Sequence, residues 1–236
     1  MKACYRRVLI KISGEALAAE KGRGYDFDFV SRVCSAVIDC TKLGVQVGIV
    51  IGGGNFWRGV KDGAGKVERV SADRMGMLAT AMNCLAVADV FRKLGAEARV
   101  MTAVDIQGVG ERYDTKKAIE YLEGGKIVLF GCGTGLPFFS TDTAAALRAA
   151  EIQADAILLA KNVDGVYSAD PRVDSTAVKF DEISYDEVLS RHLAVMDSTA
   201  TSLAMDNNIP LIVFALAEPS NIKKVLCGEK LGTKVG

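Results

Sequence analysis

The sequence predicts an α/β fold, a three-layer αβα sandwich in which helices cover both faces of a central, mostly parallel sheet. Short apolar runs of strand length alternate with segments whose apolar residues recur at helical spacing, and glycine-rich turns follow three of the runs. Strands separated by helices pair in parallel, because a parallel connection requires a crossover. We find no internal repeat and no proline-rich linker, so we predict a single domain over residues 1–236 with two lobes, roughly residues 1–150 and 151–236.

The first half of the chain contains three predicted strands and three predicted helices. The run at residues 7–12 is mostly apolar and of strand length. From residue 29, apolar side chains recur at helical spacing until Gly44 ends the pattern. The predicted strands are 7–12, 45–51 and 97–102, and the predicted helices are 29–43, 72–93 and 114–123.

The longest predicted helix covers residues 72–93, and Ser71 before it is a suitable N-cap residue. Four of its apolar residues recur at helical spacing and are predicted to form the buried stripe: Met75, Leu78, Met82 and Leu85. If apolar side chains of this helix were exposed instead, they would offer a contact between subunits.

The second half of the chain continues the alternation of strands and helices. Ser184 and Glu187 have the spacing of a capping box, which predicts a short helix after Ser184. The predicted strands are 126–130, 155–160, 176–180 and 210–215, and the other predicted helices are 142–152, 198–206 and 219–227.

The composition favours a compact fold and argues against a nucleic-acid partner. Glycine is frequent (24 residues) and proline is rare (four residues), which suits a backbone that bends tightly or approaches a ligand closely. Basic and acidic residues number 29 each, so the net charge is zero. A sequence-independent nucleic-acid binder normally carries a basic excess, so no nucleic-acid partner is expected.

Cysteine and histidine usage predicts no metal site. The six cysteines form no C-x-x-C pair and His192 is the single histidine, so we expect buried thiols in a reducing compartment. Lys11 interrupts the first apolar run too early for a signal peptide, and no run approaches the roughly 18 apolar residues of a membrane span. We therefore expect a soluble, cytoplasmic protein with no membrane partner.

The glycine-rich turns follow predicted strands at residues 11–14, 52–55 and 131–135. In an open parallel sheet, ligands bind beyond the carboxyl ends of the strands. Glycine allows close approach of the backbone to an anion, and the next helix offers N–H groups at its first turn. One such turn is equally well explained as a tight turn without a ligand. Three at one edge of a sheet indicate several phosphates, and hence two phosphorylated ligands.

Three familiar nucleotide-binding motifs are missing from the sequence. The pattern G-x-x-x-x-G-K-[ST] does not occur, and Leu136 stands where the third glycine of a dinucleotide-binding motif would be. The motifs of protein kinases are also missing. These observations exclude a P-loop enzyme and a dehydrogenase.

Two basic and two acidic side chains are candidates for catalysis or ligand binding. Lys11 stands where the first strand ends and is placed to reach a phosphate, although a lysine at a strand end is often merely solvated. Arg58 follows the triple glycine and could bind a phosphate through two N–H groups, the alternative being a solvated loop arginine. Asp73 and Asp142 lie near predicted helix starts, where a carboxylate also interacts favourably with the helix dipole.

Six blocks occur in a fixed order along the chain, at residues 11–17, 52–59, 73–83, 133–142, 163–171 and 195–197. The most specific are Asp-x-Met-Gly-Met-Leu-Ala-Thr from residue 73 and Phe-Phe-Ser-Thr-Asp from residue 138. Together the blocks resemble the bacterial UMP kinases (uridylate kinases), a family of the amino-acid-kinase superfamily. The similarity runs from residue 6 to about residue 233.

The resemblance implies an amino-acid-kinase fold and reversible transfer of the γ-phosphoryl group of ATP to UMP, giving ADP and UDP in pyrimidine nucleotide biosynthesis. Lys11, Arg58 and Asp142 would be catalytic. The ATP-binding residues would be Lys11, Ile12, Ser13, Gly14, Gly54, Arg58, Asn162, Tyr167 and Asp170. The UMP-binding residues would be Gly53, Asp73, Thr134, Gly135, Leu136, Pro137, Phe138, Phe139, Ser140 and Thr141. The UMP-binding lobe would be roughly residues 1–150 and the ATP-binding lobe roughly 151–236.

The resemblance further implies Mg²⁺ carried by ATP, a homohexamer, activation by GTP and inhibition by UTP. Leu136 replaces the asparagine that is usual in the family's Gly-Thr-Gly-Asn-Pro motif, which affects the geometry of UMP binding or assembly. The segment after residue 160 is one residue shorter than in some relatives, so either Lys161 or Asn162 would contact ATP.

Two other functions remain open at the level of sequence. One is a related kinase that acts on an amino-acid carboxylate or on carbamate, against which Arg58, Asp73 and the block at residues 138–142 favour a nucleoside monophosphate. The other is a nucleotide sensor without turnover, against which the presence of Lys11, Arg58 and Asp142 argues.

Overall fold

A parallel sheet runs through the centre of the computed structural model, which describes residues 2–58, 63, 65–171, 173–193 and 195–236. The strands are β1 (Arg7–Ile12), β2 (Gln46–Ile51), β3 (Ala98–Thr102), β4 (Glu111–Arg112), β5 (Ile127–Gly131), β6 (Ala156–Lys161), β7 (Val166–Tyr167), β8 (Lys179–Phe180), β9 (Glu182–Ile183), β10 (Leu211–Ala215) and β11 (Thr233–Val235).

Helices separate most of these strands. They are α1 (Gly14–Ala18), α2 (Phe27–Thr41), α3 (Arg69–Lys93), α4 (Thr115–Glu123), α5 (Thr141–Glu151), α6 (Tyr185–Ser190), α7 (Ser198–Asp206) and α8 (Asn221–Leu226), with a 3₁₀ turn at Ala19–Lys21.

The large sheet has the strand order β4-β3-β5-β2-β1-β6-β10-β11-β9. Its described strand pairs are parallel except for β10 with β11, and β7 pairs separately with β8 as a small antiparallel ribbon. Because β5, β2 and β1 are neighbours, the turns that follow them lie at one edge of the sheet. The topology therefore brings the three glycine-rich turns together, as the sequence predicted.

Helices cover both faces of the sheet, which confirms the predicted αβα layers. Val8, Ile10 and Ile12 of β1 belong to one core cluster, together with α2, α3 and α8. Leu9, one position along the same strand, belongs to the other, together with α4, α5 and α7. Successive side chains of a strand point to opposite faces, so a strand that is apolar throughout must be buried on both sides.

The predicted elements are confirmed in most places. Ser184 and Glu187 form a capping box at the start of α6. The apolar run at 176–180 is an exception, because only Lys179–Phe180 is a strand. Sequence patterns did not predict α1, β4, β7, β9 or β11, which are short elements whose pairing or packing depends on distant residues.

The predicted buried stripe of α3 is wrong. Its four residues are between 38% and 52% exposed: Met75, Leu78, Met82 and Leu85. The buried side consists mainly of small residues, including Ala81, Cys84 and Ala88. The turn after β2 approaches the N-terminal half of this helix closely, since a Cβ atom on Gly53 would lie 2.9 Å from the carbonyl oxygen of Gly76.

The start of α3 also differs from the prediction. The helix begins at Arg69, so Ser71 lies within its first turn and Glu68 takes the N-cap position without a side-chain hydrogen bond. In the described part of the chain, α3 alone has the length and mean hydropathy that a membrane span would need. Half of that apolar window is buried inside the molecule, as in the core helix of a soluble fold.

The cysteines are free thiols, and the expectation that all are buried is only partly correct. Cys34, Cys40, Cys84 and Cys132 are buried, whereas Cys4 is exposed and Cys227 is half-buried. Burial raises the pKa of the Cys34 thiol to about 12, so this thiol stays protonated at neutral pH.

Candidate active site

The three glycine-rich turns line one cleft of about 310 Å³ at the carboxyl ends of β1, β2 and β5. The N-terminal part of α3 and the loop before α5 complete the walls. Twelve of the residues assigned from sequence line this cleft: Lys11, Ser13, Gly14, Gly53, Gly54, Arg58, Asp73, Thr134, Leu136, Phe139, Ser140 and Thr141. Residues from distant parts of the sequence thus form one site.

Lys11 and Asp142 form an ion pair beside the cleft, with 2.6 Å between Nζ and Oδ1. Lys11 is the penultimate residue of β1, and Asp142 lies in the first turn of α5. Ser140 is the N-cap of α5, and its Oγ accepts a hydrogen bond from the backbone N–H of Asp142. Because the side chains of Lys11 and Asp142 are only 12% and 20% exposed, the pair is screened less than a surface ion pair.

Lys161 is a second lysine near this pair. It ends β6, the strand beside β1, and its Nζ donates a hydrogen bond to the carbonyl oxygen of Val195. Burial lowers the pKa of Lys161, the nearby Asp142 carboxylate opposes that shift, and the positive charge of Lys11 adds to it. The sequence offered Lys161 only as an alternative to Asn162, although it ends a buried strand just as Lys11 does.

Arg58 forms an ion pair with Glu15 across the mouth of the cleft, with 2.5 Å between Nη2 and Oε1. Glu15 lies in the first turn of α1, and Arg58 follows the turn after β2. Glu15 lies within the block at residues 11–17, and no role was predicted for it from sequence. An acidic residue directly after Ser13 and Gly14 was the available signal.

The turns after β1 and β2 are in direct contact. A Cβ atom on Gly14 would overlap the carbonyl oxygen of Gly52, so only glycine fits at this position. Asn55 and Asn83 are buried and hydrogen-bonded to each other, and Asn83 Nδ2 also donates to the carbonyl oxygen of Gly52 at 2.7 Å. This network fixes the turn after β2 against α3, since a buried amide is costly without its partners.

Asp73 joins α3 to the loop before α5. Its Oδ2 accepts a hydrogen bond from the backbone N–H of Phe138 at 2.8 Å, and it forms an ion pair with Arg69. The guanidinium of Arg69 lies 5.2 Å from the centre of the Phe138 ring. Phe138 has a φ of 70°, a conformation that is uncommon outside glycine, and these contacts help to hold it.

The same loop carries the other residues assigned to the nucleotide. Leu136, Phe138 and Phe139 are exposed and apolar. Of the residues assigned in this loop, Gly135, Pro137 and Phe138 do not line the cleft. The side chain of Ile12 is buried in the core, so only the backbone of that residue could contact a ligand.

Tyr167 and Asp170 lie outside the first cleft. They line a second cavity of about 340 Å³, together with Arg191 and His192. His192, for which no role was predicted from sequence, is therefore close to residues assigned to ATP. Asn162 is exposed and lines neither cavity. The structure thus divides the assigned residues between two places rather than one.

The chain belongs to the amino acid kinase family, whose model matches residues 6–215. This match fits the parallel sheet and the glycine-rich turns at its edge.

Solved structures of UMP kinases are similar over almost the whole chain. The UMP kinase of Bacillus anthracis is 38% identical, with a TM-score of 0.95, and the match covers 98% of this chain and 96% of that one. The UMP kinase of Ureaplasma parvum is 35% identical, with a TM-score of 0.92 and full coverage of both chains. The uridylate kinase of Archaeoglobus fulgidus is 29% identical, with a TM-score of 0.76, covering 97% of this chain and 99% of that one.

Proposed function

We propose that this protein is a UMP kinase, which transfers the γ-phosphoryl group of ATP to UMP and releases ADP and UDP. The observation that carries the proposal is the cleft in which Lys11, the guanidinium of Arg58 and three glycine-rich turns converge, with Asp142 paired to Lys11 beside it. The likeness to the two bacterial UMP kinases over nearly the whole chain supports the choice of substrate.

Lys11 and Arg58 would supply the positive charge that phosphoryl transfer requires. Such reactions need little covalent help from the protein, so positioning and electrostatic stabilisation account for most of the catalysis. Lys11 would neutralise charge on the transferring group, and Asp142 would hold the Lys11 ammonium at the end of β1. Arg58 would lie between the two phosphate groups.

The two substrates, UMP and ATP, would bind to different parts of the molecule. Asp73, Gly53 and residues 134–141 would hold UMP in the first cleft. Ser13, Gly14 and Gly54 would hold the ATP phosphates. The cavity beside Tyr167 and Asp170 would hold the base and ribose of ATP, with Asn162 or Lys161 at its border. We propose a UMP-binding lobe over roughly residues 1–150, which also supplies the residues at the ATP phosphates, and an ATP-binding lobe over roughly 151–236.

Mg²⁺ would arrive on ATP, bound mainly by phosphate oxygens and water. Among the described residues, no group of three acidic, histidine or cysteine side chains converges as a set of metal ligands. A site with few protein ligands suits a cation whose ligands come mostly from the nucleotide, as is common for Mg²⁺ in kinases. The ion would neutralise part of the phosphate charge.

Self-association would use the exposed apolar face of α3. Four large apolar side chains lie on it in a row, which is unusual for a solvated helix: Met75, Leu78, Met82 and Leu85. We propose that this face contributes to a homohexamer, that GTP activates and UTP inhibits the enzyme, and that it works in the cytoplasm in pyrimidine nucleotide biosynthesis.

A substrate panel tests the proposed reaction. ADP release is measured in a coupled assay with ATP, Mg²⁺ and one acceptor at a time: UMP, CMP, aspartate, glutamate or carbamate. We expect turnover with UMP to exceed that with every other acceptor. Turnover with an amino acid or carbamate alone would identify a different kinase of the family. Binding of nucleotides without any turnover would identify a sensor. Initial rates with UMP in the presence of GTP or UTP test the effectors.

A further inference from the structure

Glu15 places a negative charge in the cleft where the phosphates are expected. It lines the cleft, and a Cβ atom on Gly54 would lie 3.0 Å from its Oε1, so the carboxylate lies directly over the turn after β2. A carboxylate next to phosphates costs free energy through like-charge repulsion. Its position therefore calls for a compensating role in the site.

The backbone of Glu15 is held firmly. Ser13 is the N-cap of α1, and its Oγ accepts a hydrogen bond from the backbone N–H of Ala16. Leu17 and Ala18 in the same helix are buried in the core. Glu15 thus projects from a short element that is capped at its start and packed along one side.

Arg58 lies outside any helix or strand, in irregular structure after the turn, and its side chain is 43% exposed. A long arginine side chain loses considerable rotamer freedom when its position is restricted. The ion pair with Glu15, with 2.5 Å between Nη2 and Oε1, restricts the guanidinium before any ligand binds.

The geometry of a guanidinium allows both partners at once. It carries five N–H donors in a plane, so a carboxylate on one edge and a phosphate on another can be bound together. We propose that Glu15 is a positioning residue that holds the guanidinium of Arg58 over Gly54 and directs it at the phosphates during transfer. This inference rests on the proposed UMP kinase activity.

Two other roles for Glu15 are physically reasonable and give different results. Glu15 could compete with the phosphates for Arg58, in which case its removal would lower KM. Glu15 could instead only stabilise α1, because a carboxylate near a helix N-terminus interacts favourably with the helix dipole. Its removal would then lower the Tm of the protein whether or not Arg58 is present.

A double-mutant cycle tests the proposal in the full-length protein. Glu15→Gln, Arg58→Ala and the double variant are compared with the wild type for kcat, for KM of UMP and ATP, and for Tm. We expect Glu15→Gln to lower kcat about tenfold with a smaller change in KM, because the interaction matters most in the transition state. In the Arg58→Ala background, the same change should alter kcat less than about twofold.

A matched control and a conservative variant sharpen the test. Glu120→Gln removes one carboxylate from the exposed side of α4, outside the cleft, and should leave kcat unchanged. Glu15→Asp keeps the charge but shortens the side chain, so we expect it to recover only part of the loss. Equal losses from Glu15→Gln with and without Arg58, a lower KM, or wild-type kcat would each overturn the proposal. If wild-type protein does not phosphorylate UMP, it is the proposed function that fails.

Discussion

Lys11 at the end of β1 and Asp142 in the first turn of α5 form the ion pair of the cleft, with 2.6 Å between Nζ and Oδ1. The backbone of each is fixed independently, Lys11 by its pairing with β2 and β6 and Asp142 by the Ser140 cap. An ammonium held in this way needs little reorganisation when charge develops on a phosphoryl group.

Replacing Lys11 tests whether this charge is catalytic. Lys11→Met keeps most of the side-chain volume and removes the ammonium, so we expect kcat to fall at least about 100-fold, as for loss of a transition-state charge contact. The far-UV circular dichroism spectrum should stay unchanged. Lys126→Met, in a lysine outside the cleft, is the control and should retain activity. Near-normal turnover of Lys11→Met would remove Lys11 from the mechanism.

Asp73 should affect UMP binding more than the chemical step. Asp73→Asn weakens the hydrogen bond from the backbone N–H of Phe138 and removes the ion pair with Arg69, so the loop before α5 should become less ordered. We expect KM for UMP to rise about tenfold, with kcat within about threefold of wild type, the pattern of lost ground-state binding. Initial rates over a range of UMP concentrations measure this. A large loss of kcat at unchanged KM would contradict the role in binding.

Lys161 should make stability depend on pH in the alkaline range. Burial lowers its pKa in the folded protein, so between that value and the usual value near 10.4 the unfolded chain binds more protons than the folded one. The free energy of unfolding should therefore rise with pH through this window. Lys161→Met removes the titration, so its free energy of unfolding should rise less steeply over the same window.

Urea denaturation of wild type and Lys161→Met at several pH values from 7 to 10.5 measures the difference in slope. Both proteins share every other titrating group, so the contributions of groups that do not interact with Lys161 cancel in the comparison. Parallel pH profiles would show that the folded protein does not depress the pKa of Lys161.

The exposed apolar face of α3 should control assembly. Leu78→Glu places a charge in the middle of the row that also contains Met75 and Met82. We expect the proposed homohexamer to dissociate into smaller species in sedimentation velocity, because burying an unpaired charge is costly. Arg92→Glu, on an exposed position near the end of α3, is the control. An unchanged sedimentation coefficient for Leu78→Glu would place the interface elsewhere.

Much of the fold could be predicted because its signals are local. The strands at residues 7–12 and 155–160 are mostly apolar, as expected where both faces are covered. The strand β11 was not predicted, because its three residues form a strand only by pairing antiparallel with β10. The face of α3 was predicted incorrectly, since both sides of that helix carry apolar residues at helical spacing.

The candidate site, like the fold, could be predicted from sequence only in part. Lys11 and the glycine turns could be selected from sequence because each immediately follows a strand-like run. The role suggested for Glu15 could not, because it depends on the distance to Arg58 across two turns. The contact of Lys161 with Val195 likewise joins segments that no local pattern connects.

The sequence by itself determined the alternation of strands and helices, the excess of glycine at strand ends and the kind of charge available there. These properties follow from side-chain periodicity and from the backbone freedom of glycine, which act over a few residues. Only the tertiary structure decided which charges pair, which side of α3 faces the core and which assigned residues share a cleft. Those outcomes depend on strand order and on close backbone contacts, such as that of Gly53 with α3, which bring distant residues together.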